Sequence, residues 1–213
     1  MRGRGSEGVF EGTGGVGVTT GIDTANGTSE MQVTVLNVDG CGYSDMLTCS
    51  DGVDHRELHC ECCLYWEVPD SRDRPDSPEE MKRAKREWFQ RVQREWGTCG
   101  KVAYVNRKPA GYCQFAPAQY LPNAGAYECG PPSDDSVFIS CLFVRCHTRS
   151  KVGSRLLDAV LADLSTRGVR AAETFARKGN PENPSGPIEF WLSNGFIAVR
   201  EDKEFALVRR ELQ

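Results

Sequence analysis

One strand–turn–helix passage constrains this chain more than any other feature. Residues 137–144 read Val137, Phe138, Ile139, Ser140, Cys141, Leu142, Phe143, Val144, an almost unbroken apolar run. Such a run is expected of a strand buried on both faces. A short basic turn follows, holding Arg149 and Lys151. Then Val152, Leu156, Leu157, Val160, Leu161 and Leu164 recur at helical spacing, with Gly168 as the stop. A turn of this kind presents free backbone N–H groups and the positive end of a helix dipole, where anionic phosphate is a natural ligand. Arg149 and Lys151 add charge, and Gly153 lets a ligand approach the backbone closely.

Other elements fall around this unit. Residues 31–37 alternate like a first strand. Ser77, Pro78 and Glu80 form a helix start, with Ser77 as N-cap and Glu80 in the capping-box position. Met81, Ala84, Trp88, Val92 and Trp96 follow at helical spacing up to Gly97. The Lys and Arg residues of that helix, Lys85 among them, alternate with Glu and read as a solvated face. Residues 101–105 and 111–115 read as strands joined by a hairpin turn at Asn106, Arg107, Lys108 and Pro109. Residues 116–134 form a loop rich in Pro, Gly, Ala and Asn. Beyond the central helix come a strand at 169–176, a short helix at 188–193 and two closing strands at 196–199 and 205–209. The order is strand, helices, three strands, helix, strand, helix, two strands, which is mixed α/β.

Composition narrows the function. Of 213 residues, 26 are basic and 30 acidic, a net charge of −4, so no global positive field draws the chain to nucleic acid. No run of about 18 apolar residues predicts a membrane span. With no charged-then-apolar leader, a cytoplasmic location is expected. Residues 1–30 hold nine of the 22 glycines and one aromatic, Phe10, and are expected to be disordered. The glycines at 12–17 lack the flanking elements and the Lys-Ser/Thr ending of a phosphate loop.

Ten cysteines are many for a cytoplasmic chain. Cys113 and Cys141 sit inside strand-like runs and read as core. His55, His59, Cys60, Cys62 and Cys63 show zinc-compatible spacings, H-x3-H and C-x2-C. The ligand pairs abut instead of being separated by a loop, so the expected metal set is none, with a thiol or zinc sensor kept as an alternative.

Two further motifs sharpen the reading. The run Arg149, Ser150, Lys151, Val152, Gly153, Ser154 resembles motif A of the GNAT N-acetyltransferase superfamily, whose pattern is Arg/Gln-x-x-Gly-x-Gly/Ala at a helix start. About 40 residues on, Phe190, Trp191, Gly195 and Phe196 resemble its Phe-Tyr-x-x-x-Gly-Phe signature. The resemblance covers roughly residues 77–211. It implies one domain over residues 31–213, with 31–76 as a divergent N-terminal part. The implied fold is an α/β, mostly antiparallel mixed sheet flanked by helices and splayed between its fourth and fifth strands. Acetyl-CoA would enter the splay. Its pyrophosphate would sit on the amides of Arg149, Ser150, Lys151, Val152, Gly153 and Ser154. Its pantetheine arm would pair along Leu142, Phe143 and Val144. An N–H near Val144 would stabilise the oxyanion. Asn183 lies where the family often has a CoA-contacting Asn.

The implied reaction is acetyl transfer to a primary amine, on a small molecule or a protein, by direct attack in a ternary complex. The chain would work as a monomer or homodimer. A non-catalytic CoA-binding relative is the other alternative, because the sequence departs from the pattern. The turn is short of glycine. Trp191 stands where relatives have a Tyr that protonates the leaving thiolate, and an indole N–H is no useful proton donor. The strand at 137–144 carries no Glu for a base. Glu173 is the candidate base on the next strand, ahead of Glu67 and Glu128. Cys141 or Cys146, with His147 nearby, is a minor alternative as covalent nucleophile. Trp66, Tyr120 and Tyr127 are candidates to line the acceptor site.

Overall fold

The computed structural model describes residues 18–20, 32–38, 60–144, 149–179 and 186–212. The strands are β1 (Val18–Thr20), β2 (Val33–Asn37), β3 (Gly100–Val105), β4 (Lys108–Ala116), β5 (Ser136–Val144), β6 (Ala171–Arg177), β7 (Ile197–Glu201) and β8 (Phe205–Glu211). The helices are α1 (Pro78–Glu95), α2 (Arg149–Thr166) and α3 (Ile188–Ser193). The strands form one sheet in the order β1-β2-β3-β4-β5-β6-β8-β7. Every neighbouring pair is antiparallel except β5 with β6.

β1 departs from the sequence expectation. Val18–Thr20, inside the glycine-rich stretch expected to be disordered, pairs with Val33–Val35 at the sheet edge. Three consecutive β-branched residues suit that role. Counted from β2, the parallel pair β5·β6 is the fourth and fifth strand, as the resemblance implied.

Local chemistry sets the element ends. Ser77 Oγ accepts from Glu80 N at 3.3 Å and donates to the Glu80 carboxylate at 3.0 Å, so Ser77 caps the start of α1. Gly97, with φ of +112°, turns the chain out of the helix. The β3–β4 turn is tighter than expected. Within it Asn106 and Arg107 have positive φ, 48° and 67°, as in a two-residue hairpin turn. Lys108 and Pro109 already belong to β4, opposite Val105 and Tyr104. The register shifts beside Pro109, where a ladder N–H is missing.

Each face of the sheet carries one long helix and one core, and α3 joins the α2 face through Trp191. On one face α2 buries Val152, Leu156, Val160 and Leu164 against Phe115, Ile139 and Ala172. On the other, α1 buries Trp88, Phe89 and Val92 against Tyr112, Phe138 and Phe175. The buried face of α1 also holds a charged residue, Lys85, which is thus not on the solvated face. Lys85 follows Met81 by four residues and precedes Trp88 by three, so helical spacing sets it in the apolar stripe.

The docking of α2 is testable. Leu156 is fully buried, so Leu156→Ala lowers unfolding free energy by about 2–5 kcal/mol in urea denaturation. A loss below about 1 kcal/mol would mean that α2 does not bear on the sheet as described.

Candidate active site

The parallel pairing of β5 with β6 is short. It joins Ser136, Val137 and Phe138 to Ala171, Ala172 and Glu173, and no further. Thr174 Oγ1 donates to the Ile139 carbonyl at 2.8 Å just past the last pair. From there β5 stays with β4 as far as Val144, while β6 stays with β8 as far as Arg177. The two halves of the sheet part, and among the described residues the inner edge of Leu142, Phe143 and Val144 has no strand neighbour.

A bulge marks the same place. Gln114 faces Cys141 and Phe115 faces Ile139, so Ser140 is the extra residue. Its hydroxyl donates to the Gln114 carbonyl at 3.3 Å. Bulges bend a strand and re-aim its groups beside functional sites. Gly111 lets β4 lie close here: a Cβ would stand 3.1 Å from the Phe143 carbonyl oxygen.

Beside this end of β5, α2 begins. Arg149 and Ser150 open it, Lys151 is exposed, Val152 and Gly153 are buried and Ser154 is half-buried. A Cβ on Gly153 would touch the Phe190 ring at 3.4 Å and Val144 at 3.6 Å, so the first turn of α2 rests on the end of β5 and on α3. The unpaired end of β5 and the first turn of α2 therefore lie side by side where the sheet parts. An extended ligand can pair with the free strand edge, and an anionic group can sit on the free N–H groups of the helix. Asn183, Cys146 and His147 lie outside the described residues, as do His55 and His59. Among the described residues no group of three or more His, Cys, Asp or Glu side chains is placed to hold a metal ion.

Glu173 is not at the gap. It pairs with Phe138 at the closed end of β5·β6 and is fully buried. Its carboxylate accepts from Ser133 N at 2.7 Å, Ser133 Oγ at 2.8 Å, Ser136 Oγ at 3.0 Å and Arg209 at 3.0 Å. Arg209 also grips Asp135 at 2.9 Å. A carboxylate with four donors, one of them a guanidinium, is held as a structural tie, and a base needs an open lone pair. An open cavity of about 680 Å³ borders this cluster, between Pro131 and Arg200, away from the gap.

Glu67 has the opposite environment. Asn123 donates from its side chain to the Tyr65 carbonyl at 2.8 Å and from its backbone N–H to the Trp66 carbonyl at 3.2 Å. Trp66 packs on Phe138 and Tyr127, with ring centroids at 5.1 and 5.6 Å. These ties seat Glu67 against α1 and β4. Its Oε1 accepts from Lys85 Nζ and, at 2.7 Å, from Gln114 Nε2. Gln114 Oε1 accepts from the Tyr112 hydroxyl at 2.9 Å. The side chains of Glu67 and Lys85 are each 3% exposed. Glu67 Oε2 is buried and has no hydrogen-bond partner. Burial pulls the Lys85 ammonium down, but Glu67, with Cys141 and Cys63 adding to it, holds Lys85 above its ordinary value.

The remaining candidates sort by packing. Burial, reinforced by Cys60 and Cys63, pushes the Cys141 thiol well above its ordinary value, so it is no thiolate nucleophile. Trp191 is buried edge-on to Phe190 and Phe196, at 5.3 and 5.1 Å, and is core. Tyr127 stacks on Phe175 at 4.2 Å, and its hydroxyl lies 3.1 Å from that of Tyr65. Tyr120 accepts from Trp88 Nε1 through its carbonyl at 2.8 Å. Glu128 is exposed.

No family model matches the sequence, and no curated protein matches it. Solved structures do match. An N-acetyltransferase from Staphylococcus aureus Mu50 is 14% identical, with 85% of this chain and 99% of that one covered, at a TM-score of 0.53. An acetyltransferase of the GNAT family from Streptococcus pneumoniae is 11% identical, with 85% and 99% covered, at 0.52. The yncA protein of Salmonella typhimurium, solved with its cofactor acetyl-CoA, is 15% identical, with 85% and 94% covered, also at 0.52. The fold of this chain is thus that of the GNAT N-acetyltransferases.

The buried pair gives a second prediction. Lys85→Met strands the Glu67 carboxylate and lowers stability by about 3–5 kcal/mol. Adding Glu67→Leu recovers most of that loss. Urea denaturation of the two single variants and the double variant reads the cycle. A double variant no more stable than Lys85→Met would show that the two side chains do not act as a pair.

Proposed function

We propose that the chain is an N-acetyltransferase that moves an acetyl group from acetyl-CoA to a primary amine by direct attack in a ternary complex. The observation that carries this reading is the gap itself. Among the described residues, the edge of Leu142, Phe143 and Val144 is left unpaired where the sheet parts, and the first turn of an 18-residue helix lies beside it. Those two surfaces suit the two halves of acetyl-CoA. The pantetheine arm is an extended chain of amides that pairs along the strand edge. The pyrophosphate is an anion, and the amides of Arg149, Ser150, Lys151, Val152, Gly153 and Ser154, with the Lys151 charge, are its cradle. The bulge at Ser140 brings an N–H of this strand to the thioester carbonyl, where it stabilises the oxyanion. The acetyl-CoA held by the Salmonella structural neighbour supports the same choice of co-substrate. Asn183 remains a proposed CoA contact.

Glu67 replaces Glu173 as the proposed base. Its Oε2 is unoccupied by any donor, whereas every oxygen of Glu173 is taken. It stands on the α1 face, next to the bulge through Gln114. The acceptor is a primary amine of a small molecule or a protein. Trp66 and Tyr127, beside Glu67, border its path. The thiolate leaves without a Tyr donor.

Acetyl-CoA and CoA each raise the melting temperature of the protein, by an amount that grows with ligand concentration. Lys151→Glu, an exposed change, and Gly153→Glu both weaken that shift. No shift with either ligand overturns the reading. Glu67→Gln keeps the shift but lowers thiol release from acetyl-CoA, with a panel of amines, about 100-fold. A Glu67→Gln variant with unchanged turnover removes Glu67 as base. A shift without thiol release for any amine favours the non-catalytic relative.

A further inference from the structure

We propose that Lys85 is itself an acetyl acceptor: acetyl-CoA bound in the gap acetylates its side-chain amine within the same molecule. The inference rests on the acetyl-CoA reading above and adds a modification site to it.

Lys85 is an unusual lysine for a surface helix. One turn earlier, Lys82 lies toward solvent and pairs with Glu79 at 3.4 Å. Lys85 is 2% exposed, with its Nζ 5.4 Å from the Trp88 ring centroid and 5.9 Å from that of Phe89. Stability does not account for it. A buried ion pair gains little over apolar residues of similar volume, because both charges lose their water.

Its position fits an acceptor. Two hydrogen bonds through one atom, Glu67 Oε1, join Lys85 Nζ to the Gln114 side chain. Gln114 is the register partner of Cys141 on β5, beside the bulge at Ser140 where β5 and β6 have parted. The amine therefore stands on the face of the sheet from which an acceptor would approach the thioester. It also has a proton acceptor in contact. Glu67 already takes its hydrogen bond on Oε1, and Oε2, buried and without a donor, is the place where a transferred proton can rest.

The step balances without a co-reactant. The Lys85 ammonium gives one proton to Glu67 and becomes a neutral amine. That amine attacks the thioester carbon, a C–N bond forms and the C–S bond breaks. The second nitrogen proton goes to the departing thiolate. The ammonium and carboxylate become an acetamide and a carboxylic acid, and CoA leaves as a thiol. The site is neutral before and after, so the reaction leaves no uncompensated charge in the core. The acid can then donate to the acetamide oxygen.

The experiment needs no external amine. The purified full chain is incubated with acetyl-CoA alone and its peptides are mapped by mass spectrometry. The expected result is acetylation at Lys85 and not at Lys82, at a rate independent of protein concentration. Glu67→Gln slows it about 100-fold, and Lys85→Arg, which keeps the charge, shows no transfer at that position. Acetylation confined to exposed lysines, or at Lys85 with equal speed in Glu67→Gln, overturns the proposal. So does an unmodified Lys85 in protein whose melting point acetyl-CoA raises, and in that case the acetyl-CoA reading stands. If acetyl-CoA produces no shift, both fall.

Discussion

The rest of the structure depends on where one pair of parallel strands stops pairing. β5 and β6 share three residue pairs and then separate. Each keeps its other neighbour, so the sheet holds while its middle opens. Two buried layers make that tolerable. α2 spans one face below the opening, with Leu156 against Gly111 near Val144, and the aromatic core around Phe138 and Phe175 closes the other face at the joined end. Backbone groups on a strand edge are obligatory hydrogen-bonders, so an edge left without a strand within the sheet can pair with an extended ligand, as proposed for the pantetheine arm.

Charge is distributed in keeping with that geometry. The closed end carries a saturated cluster in which Glu173, Asp135 and Glu211 share Arg209. The side of the gap carries an unsaturated one, in which Glu67 has a cation on one oxygen and nothing on the other. Both are buried carboxylates. Glu173 and Glu67 differ in how many donors reach them, and that difference is the ground on which Glu67 is proposed as the base.

Most of the fold was legible in the sequence because it rests on short-range signals. The cap at Ser77, the apolar stripe of α2 and the unbroken run of β5 each predicted an element within a few residues of where it lies. The gap was legible through the Arg149–Gly153 spacing and the resemblance that it carries. What escaped needed three-dimensional parity. Glu173 sits on the expected strand, but nothing in a linear sequence says that its level on β6 is the closed end. Lys85 was hidden by its neighbours: in a helix dense with Lys, Arg and Glu, one charge on the apolar stripe looks like the rest. Gln114, a lone amide in an apolar strand between Cys113 and Phe115, was the signal that a polar partner had to be buried opposite it.

Asn123 ties this site to a distant part of the chain. One residue of the β4–β5 connection holds two successive carbonyls, those of Tyr65 and Trp66, immediately before Glu67. The proposed base therefore inherits its position from a loop residue that takes no part in the proposed proton transfer. Loops are where sequences change most readily. Drift in residues 118–126 can reset the reach of Glu67 while the strand edge and the helix start stay untouched, so the acceptor side can diversify independently of the acetyl donor side.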